Sequence, residues 1–129
     1  MNKPKELLFI LNDKYVYFSF HYMSNEELDS IYIMEKQGDA FLHIYQFHDD
    51  PSIIYLESLS VSEHMRRKKR GRKLLRIGEQ IGKLVSATSI CLWVKKDTWM
   101  HDWYIRFGYV DWVEHSAEKN AIWMKKSLV

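Results

Sequence analysis

The stretch from Ile53 to Leu75, IIYLESLSVSEHMRRKKRGRKLL, limits what this chain can fold into more than any other. Ile53, Tyr55, Glu57, Leu59 and Val61 alternate with Ile54, Leu56, Ser58 and Ser60, and the run is rich in β-branched and aromatic residues. That is the pattern of a strand largely covered on both faces. Ser62 to Met65 break it, and seven of the eight residues from Arg66 to Lys73 are basic, Gly71 being the exception. Leu74, Leu75, Ile77, Ile81, Leu84 and Val85 then recur at helical spacing. The chain therefore runs from a buried strand, through a basic turn, into a helix.

Such a turn suits an anion. The first turn of a helix carries backbone N–H groups without internal partners, and its dipole favours negative charge. Arginines add forked donors that match phosphate oxygens. The plain alternative is a solvated basic face. It leaves positive charge opposing the dipole with no compensating anion, which is mildly destabilising.

Two segments together carry a family resemblance. Val61 to Leu75 resembles the acyl-CoA pyrophosphate loop of the GNAT superfamily of N-acetyltransferases. Arg66 matches the first motif position, Gly71 the last, and Lys69 stands where the middle glycine usually is. Trp103-Tyr104-Ile105-Arg106-Phe107-Gly108-Tyr109 is similar to the family's later aromatic-Tyr-x-x-Leu-Gly-Phe motif. The resemblance spans roughly Ile31 to Lys126. It implies an α/β (α+β) fold: a mixed, mostly antiparallel sheet with a splayed parallel strand pair and helices on both faces. The splayed pair would be Ile53–Val61 and Ser89–Val94, with acetyl-CoA in the gap. Backbone groups of Leu59 and Val61 would pair with the pantetheine amides, as an added strand does. Backbone N–H groups of Arg67, Lys69, Gly71 and Arg72 would hold the pyrophosphate beside the Arg66 side chain. Lys69 keeps its N–H and fails there only if the position needs positive φ.

The implied activity is acetyl transfer from acetyl-CoA to an amine, by direct attack in a ternary complex. A thiolate leaves in that reaction, and a nearby phenol can protonate it. Tyr104 occupies the family's acid position. Spacing alone reads Tyr104 as one more core aromatic, beside Trp99, Trp103 and Phe107. Glu57 is the candidate general base, expected on the side of Leu59 and Val61 and covered there. Its plain reading is a strand carboxylate pairing with a neighbour.

Composition bounds the alternatives. At 129 residues, 47% hydrophobic and 28% charged, the chain suits one globular domain over 1–129. The formal net charge is only +2, so the basic run is a local feature. The single cysteine, Cys91, excludes an intrachain disulfide and suits a reducing compartment, which reads as cytoplasmic. It has no sequence sign of activation as a nucleophile. Leu7 to Leu11 is too short to span a membrane, and no membrane partner is expected. The six histidines show no close ligand pair, so no metal is expected.

Along the chain, Leu7–Leu11 and Tyr15–Tyr22 read as a hairpin around Asn12-Asp13-Lys14. Ser24 to Glu27 has capping-box spacing and predicts one short helical turn. Ile31–Lys36 and Ala40–Phe47 read as strands joined at Gly38. A helix from about Lys69 to Val85 follows, in which Gly78 and Gly82 would pack closely on the sheet. Ser89–Val94 is the next strand, Thr98 caps a helix from Trp99 to about Phe107, and Gly108 ends it. Tyr109–Glu114 and Ala121–Lys126 would close the sheet as a hairpin.

GNAT proteins usually carry two helices between their first two strands, walling the acceptor site. Here Met23 to Ser30 leaves eight residues, which rise about 12 Å as a helix, one element at most. An open site implies a large acceptor, such as a protein or peptide amine, or a second subunit that completes the wall through Trp112 and Trp123 in a homodimer. Two rival classes remain open. A CoA-binding domain without catalysis is consistent with Lys69, with Asp97 where the family often has Asn, and with the shortened N-terminal half. Nucleic-acid binding would use Arg66 to Lys73 as a backbone contact, though charge is not spread along a face as such binders usually require.

Overall fold

The structure, a computed structural model, describes residues 4–38, 40–61, 69–115 and 119–129. Helix α1 (Pro4–Lys14) precedes four strands, β1 (Phe18–Ser24), β2 (Leu28–Glu35), β3 (Ala40–Phe47) and β4 (Ile53–Val61). Helix α2 (Arg70–Leu84), β5 (Ser89–Lys95), α3 (Trp99–Arg106), β6 (Val110–Asp111) and β7 (Ala121–Ser127) follow. One seven-stranded sheet has the order β1-β2-β3-β4-β5-β7-β6. β4 and β5 pair in parallel and the other neighbours antiparallel. This is the expected mixed, mostly antiparallel sheet with one parallel pair.

Alternate residues along each strand make the core. Ile31, Ile33, Leu42, Ile44, Ile54 and Ile90 lie against Leu74, Ile77 and Ile81 of α2, each at most 1% exposed. Burying a side chain of this size contributes roughly 1.5–3 kcal/mol. Gly78 and Gly82 do pack on the sheet. A Cβ at Gly78 would meet Leu42 at 3.0 Å, and one at Gly82 would meet Leu128 at 2.5 Å. The helix can approach this closely only because both side chains are missing.

The N-terminal reading needs two corrections. Leu7–Leu11 is not a strand of a hairpin but the middle of α1, with Pro4 at its first position and Leu7 and Leu11 buried one turn apart. A continuous apolar run carries no period, and here tertiary burial favours the helix. Ser24 to Glu27 forms no helical turn. The Asn25 side chain accepts from the N–H groups of Glu27 (2.8 Å) and Leu28 (2.9 Å), and Asn25 N donates to Leu28 O at 3.0 Å. This side-chain-closed turn makes β1–β2 a tight hairpin and leaves no room for an intervening helix. At the other end, β6 shrinks to Val110–Asp111.

Leu7 and Leu11 of α1, the core positions of α2 and Tyr104 of α3 share one cluster. Met23, Met34, Phe41 and Trp93 on the opposite face are each at least 37% exposed. That second face carries a connected series of rings. Tyr32 stacks on His43 (3.9 Å), Tyr45 on Tyr55 (5.2 Å), and Tyr55 meets Trp123 edge-on (5.8 Å). The tight β1–β2 turn is the physical reason: the connection that would cover this face is too short to hold a helix. Among the described residues, no helix is long and apolar enough to cross a membrane.

Candidate active site

The parallel ladder between β4 and β5 joins Ile53 to Ser89, Ile54 to Ile90 and Tyr55 to Cys91, and ends there. Beyond it the strands part, while β4 stays paired to β3 as far as Val61. A cavity of about 410 Å³ opens where they separate. Leu59, Ser60 and Val61 line it from β4, Lys69, Gly71 and Arg72 from the start of α2, and Trp99, Met100, Trp103 and Phe107 from α3. Five predicted cofactor contacts, Leu59, Val61, Lys69, Gly71 and Arg72, thus converge on one cleft. The other two, Arg66 and Arg67, lie outside the described residues.

The start of α2 has the features of an anion site. Its first turn holds no acidic residue, and Lys69, its N-cap, makes no side-chain cap. Lys69 sits at φ 59°, ψ 26°, in the left-handed region. The position therefore does need positive φ, the condition set for failure, but lysine meets it: it adopts the conformation that glycine would adopt without strain and keeps its backbone N–H. The cost is about 1 kcal/mol. Gly71 has a different role. A Cβ there would stand 3.6 Å from both Val61 Cγ2 and Trp103 Cζ2, in the throat of the cleft. Asp97, in the turn before α3, is also left-handed (φ 60°), and its N–H donates to His101 Nδ1 at 3.2 Å. Thr98 caps α3 as expected, its Oγ1 accepting from His101 N at 3.4 Å.

His101 was not singled out in the sequence. Because Nδ1 accepts, Nε2 carries the hydrogen and donates to Asp111 Oδ1 at 2.8 Å. Buried at 6% exposure, this side chain ties α3 to the turn before it and to β6. Spacing alone predicts core positions for Trp99, Trp103 and Phe107, whereas in the structure they wall the cleft. The signal that could have marked it is a stripe at i, i+4 and i+8 beside a glycine-bearing helix start.

Tyr104 lies one residue from Trp103, pointing inward. It is 2% exposed, with its ring 5.0 Å from that of Trp103 and 5.4 Å from that of Tyr109. It adjoins the cleft but is not among the residues lining it. Burial raises its phenol well above the usual tyrosine range, so the hydroxyl stays protonated at neutral pH. A group that is to give up a proton must hold one.

Glu57 is placed differently from expectation. The ladder between β3 and β4 shifts at His43/Ile44, pairing His43 with Ser58 but Ile44 with Leu56. Glu57 is the extra residue of this bulge, and the bulge reverses the alternation after it. Leu59 and Val61 fall on the helix side, whereas Glu57 is exposed on the helix-free face, near His43 and Tyr45. It is neither covered nor on the side of Leu59 and Val61. Burial, with Glu57 and Tyr55 adding to it, pushes the Tyr45 phenol up to about 12. Burial lowers the pKa of His43, against the opposing pull of Glu57. Cys91, fully buried in β5, has its thiol pushed up to about 11, which leaves little thiolate at neutral pH.

Comparison with known proteins gives a consistent result. The model of the acetyltransferase (GNAT) family matches residues 7–109. Ard1 from Thermoplasma volcanium is similar at TM-score 0.64 and 16% identity, over 97% of this chain and 80% of that one. The ribosomal-protein-S18-alanine N-acetyltransferase from Escherichia coli is similar at TM-score 0.61 and 16% identity, over 81% and 72%. A Bacillus anthracis structure solved in complex with acetyl coenzyme A is similar at TM-score 0.63 and 14% identity, over 82% and 65%. At these identities the likeness is one of fold. No curated protein matches the chain.

Proposed function

The chain belongs to the acetyltransferase (GNAT) family, and from that premise we propose that it moves an acetyl group from acetyl-CoA to an amine by direct attack. The observation that carries this reading is the cleft itself. A parallel strand pair parts beside a helix start without acidic residues, and five residues expected at the acyl donor line the opening. Such a cleft offers what a thioester of a nucleotide-linked pantetheine needs: strand edges for its amides, an apolar aromatic wall and an anion-binding helix start. A structural neighbour has been solved with acetyl coenzyme A bound.

In this reading Leu59 and Val61 align the pantetheine arm, and the backbone at Lys69, Gly71 and Arg72 holds the pyrophosphate. The Tyr104 hydroxyl gives its proton to the departing sulfur as the amine nitrogen bonds to the acyl carbon. Glu57, directly or through water, takes the proton that the amine must lose. Positioning both reactants in one complex is the main source of rate.

The acceptor comes across the helix-free face, where Glu57 stands among Tyr32, His43, Tyr45 and Tyr55. A small amine would find few enclosing contacts there, so the acceptor is large: a protein or peptide amine. One structural neighbour is named for a protein acceptor. A second copy of the chain, docked through the Trp112–His115–Trp123 ring cluster, is the rival cover. Calorimetry with acetyl-CoA, followed by a screen for CoA release with peptide and small amines, tests the reading. Binding with release dependent on peptide amines is expected. Efficient acetylation of a small polyamine by a monomer would refute the acceptor class, and failure to bind acetyl-CoA would refute the whole reading.

A further inference from the structure

The two edges of the sheet are finished differently. On one side β6 has only two residues, Val110 and Asp111, and the second is charged. A short, charged strand gives another chain little to pair with. On the other side β1 presents seven residues, FSFHYMS. It holds no Lys, Arg, Asp, Glu or Pro, and its register with β2 runs from Phe18 to Ser24 without a bulge. Sheets usually blunt an open edge with charge, proline or a bulge, and β1 has none of these.

The ladder fixes which groups of β1 face outward. Lys36 N donates to Tyr17 O, and Asn25 N to Leu28 O, both at 3.0 Å. Odd-numbered residues of β1 therefore bond β2, and Phe20, Tyr22 and Ser24 turn their backbone N–H and C=O groups away from the sheet. Among the described residues these outward groups meet no backbone partner. The side chains alternate in the same way. Phe18, Phe20 and Tyr22 lean on the core, while Ser19, His21 and Met23 stand on the helix-free face.

We propose that β1 pairs antiparallel with β1 of a second copy of the chain, about a two-fold axis at His21. The strand's own symmetry names the occupant. With the axis there, Phe20 of each copy faces Tyr22 of the other, so outward groups meet outward groups as hydrogen-bonded pairs. The strand has no charge to repel its own copy and none to select a charged peptide. Helix α1 packs on β1 through Leu7 and Leu11, yet its Phe9 is 75% exposed and its Ile10 43%. The axis places the two α1 helices on one face, on either side of the joint. Tyr17, 70% exposed, and Met23, 60% exposed, lie at the ends of the same strand. The product is one continuous sheet with seven strands from each copy. The joint lies at the opposite edge from the Trp112–His115–Trp123 cluster and leaves the cleft between β4 and β5 open, so it stands apart from the acyl-transfer reading.

Light scattering on the full chain at micromolar concentration should give twice the mass of one chain. His21→Lys sets two like charges face to face and should weaken dimerisation at least tenfold, with the circular dichroism spectrum unchanged. Directly opposed residues of a non-hydrogen-bonded pair have Cα atoms about 4.5 Å apart, within reach of a disulfide. His21→Cys should therefore form a covalent dimer in oxidising buffer. Met23→Cys, also at an exposed position, should not, because it lies off the axis. Cys91 is buried and does not compete. A monomer throughout the micromolar range would overturn the proposal, as would a dimer that His21→Lys leaves intact. So would Met23→Cys crosslinking as readily as His21→Cys. Loss of the dimer on Trp123→Ala but not on His21→Lys would place the joint at the ring cluster instead.

Discussion

Arg70 opens α2, and its Nη1 stands 2.9 Å from Glu35 Oε1 at the end of β2. The Glu35 side chain is 4% exposed and that of Arg70 30%. Glu35 Oε2 has no protein partner among the described residues. At this separation and an effective dielectric near 20, two unit charges attract by about 6 kcal/mol. That is not the pair's net worth, because both charges were taken from water. What Arg70→Met removes is the compensation for a buried carboxylate. Such losses run at about 3–5 kcal/mol, and the partial exposure of Arg70 argues for about 3. Glu35→Leu together with Arg70→Met removes both charges and should cost less than about 1 kcal/mol. Urea unfolding followed by tryptophan fluorescence reads this directly. With a slope of about 2 kcal/mol per molar, the single variant should lower the midpoint by about 1.5 M and the double variant by under about 0.5 M. A single-variant loss below about 1 kcal/mol would refute the reasoning. So would a double variant as unstable as the two single losses summed.

Other expectations follow from the same geometry. Gly71→Ala should fold with unchanged or slightly raised stability, since its methyl would make ordinary contacts at 3.6 Å and alanine favours a helix by up to about 1 kcal/mol. It should nonetheless bind acetyl-CoA about tenfold more weakly by calorimetry, because the methyl narrows the throat between Val61 and Trp103. Asp29 is buried, which alone would raise its pKa, yet its carboxyl is held well below the usual carboxylate range, with hydrogen bonds from Ser24 and Tyr22 and the contact with His48 among the lowering causes. A depressed folded-state value gives stability that is present above about pH 4 and lost as pH falls further. Asp29→Asn should therefore be less stable at pH 6, with the difference shrinking below about pH 4 in acid unfolding.

The centre of the chain was legible in its residues. The bounds of β4, and those of β3, α2, β5 and α3 to within a residue, follow from periodicity, Thr98 as cap and Gly38 and Gly108 at positive φ. The helix start and its cleft followed from the basic turn and the two motifs. What escaped depends on partners distant in sequence. Leu7–Leu11 has no period to separate helix from strand, and its choice is made by burial against β1. The bulge at Glu57 is fixed by how His43 and Ile44 meet β4, so no pattern within Ile53–Val61 could show that the alternation reverses there. Lys69 at positive φ is a conformation that the basic run conceals, because the residue type gives no sign of it.

Tyr104 carries the account's central claim, that this cleft performs acyl transfer with a phenol as proton donor. Tyr104→Phe removes one hydroxyl from a 2%-exposed site and little volume, so the fold should survive. Turnover with a peptide amine, measured by CoA release at saturating substrates, should fall by about 10²-fold, while acetyl-CoA affinity by calorimetry changes less than about threefold. Turnover unchanged at saturation would contradict the account and return Tyr104 to the core.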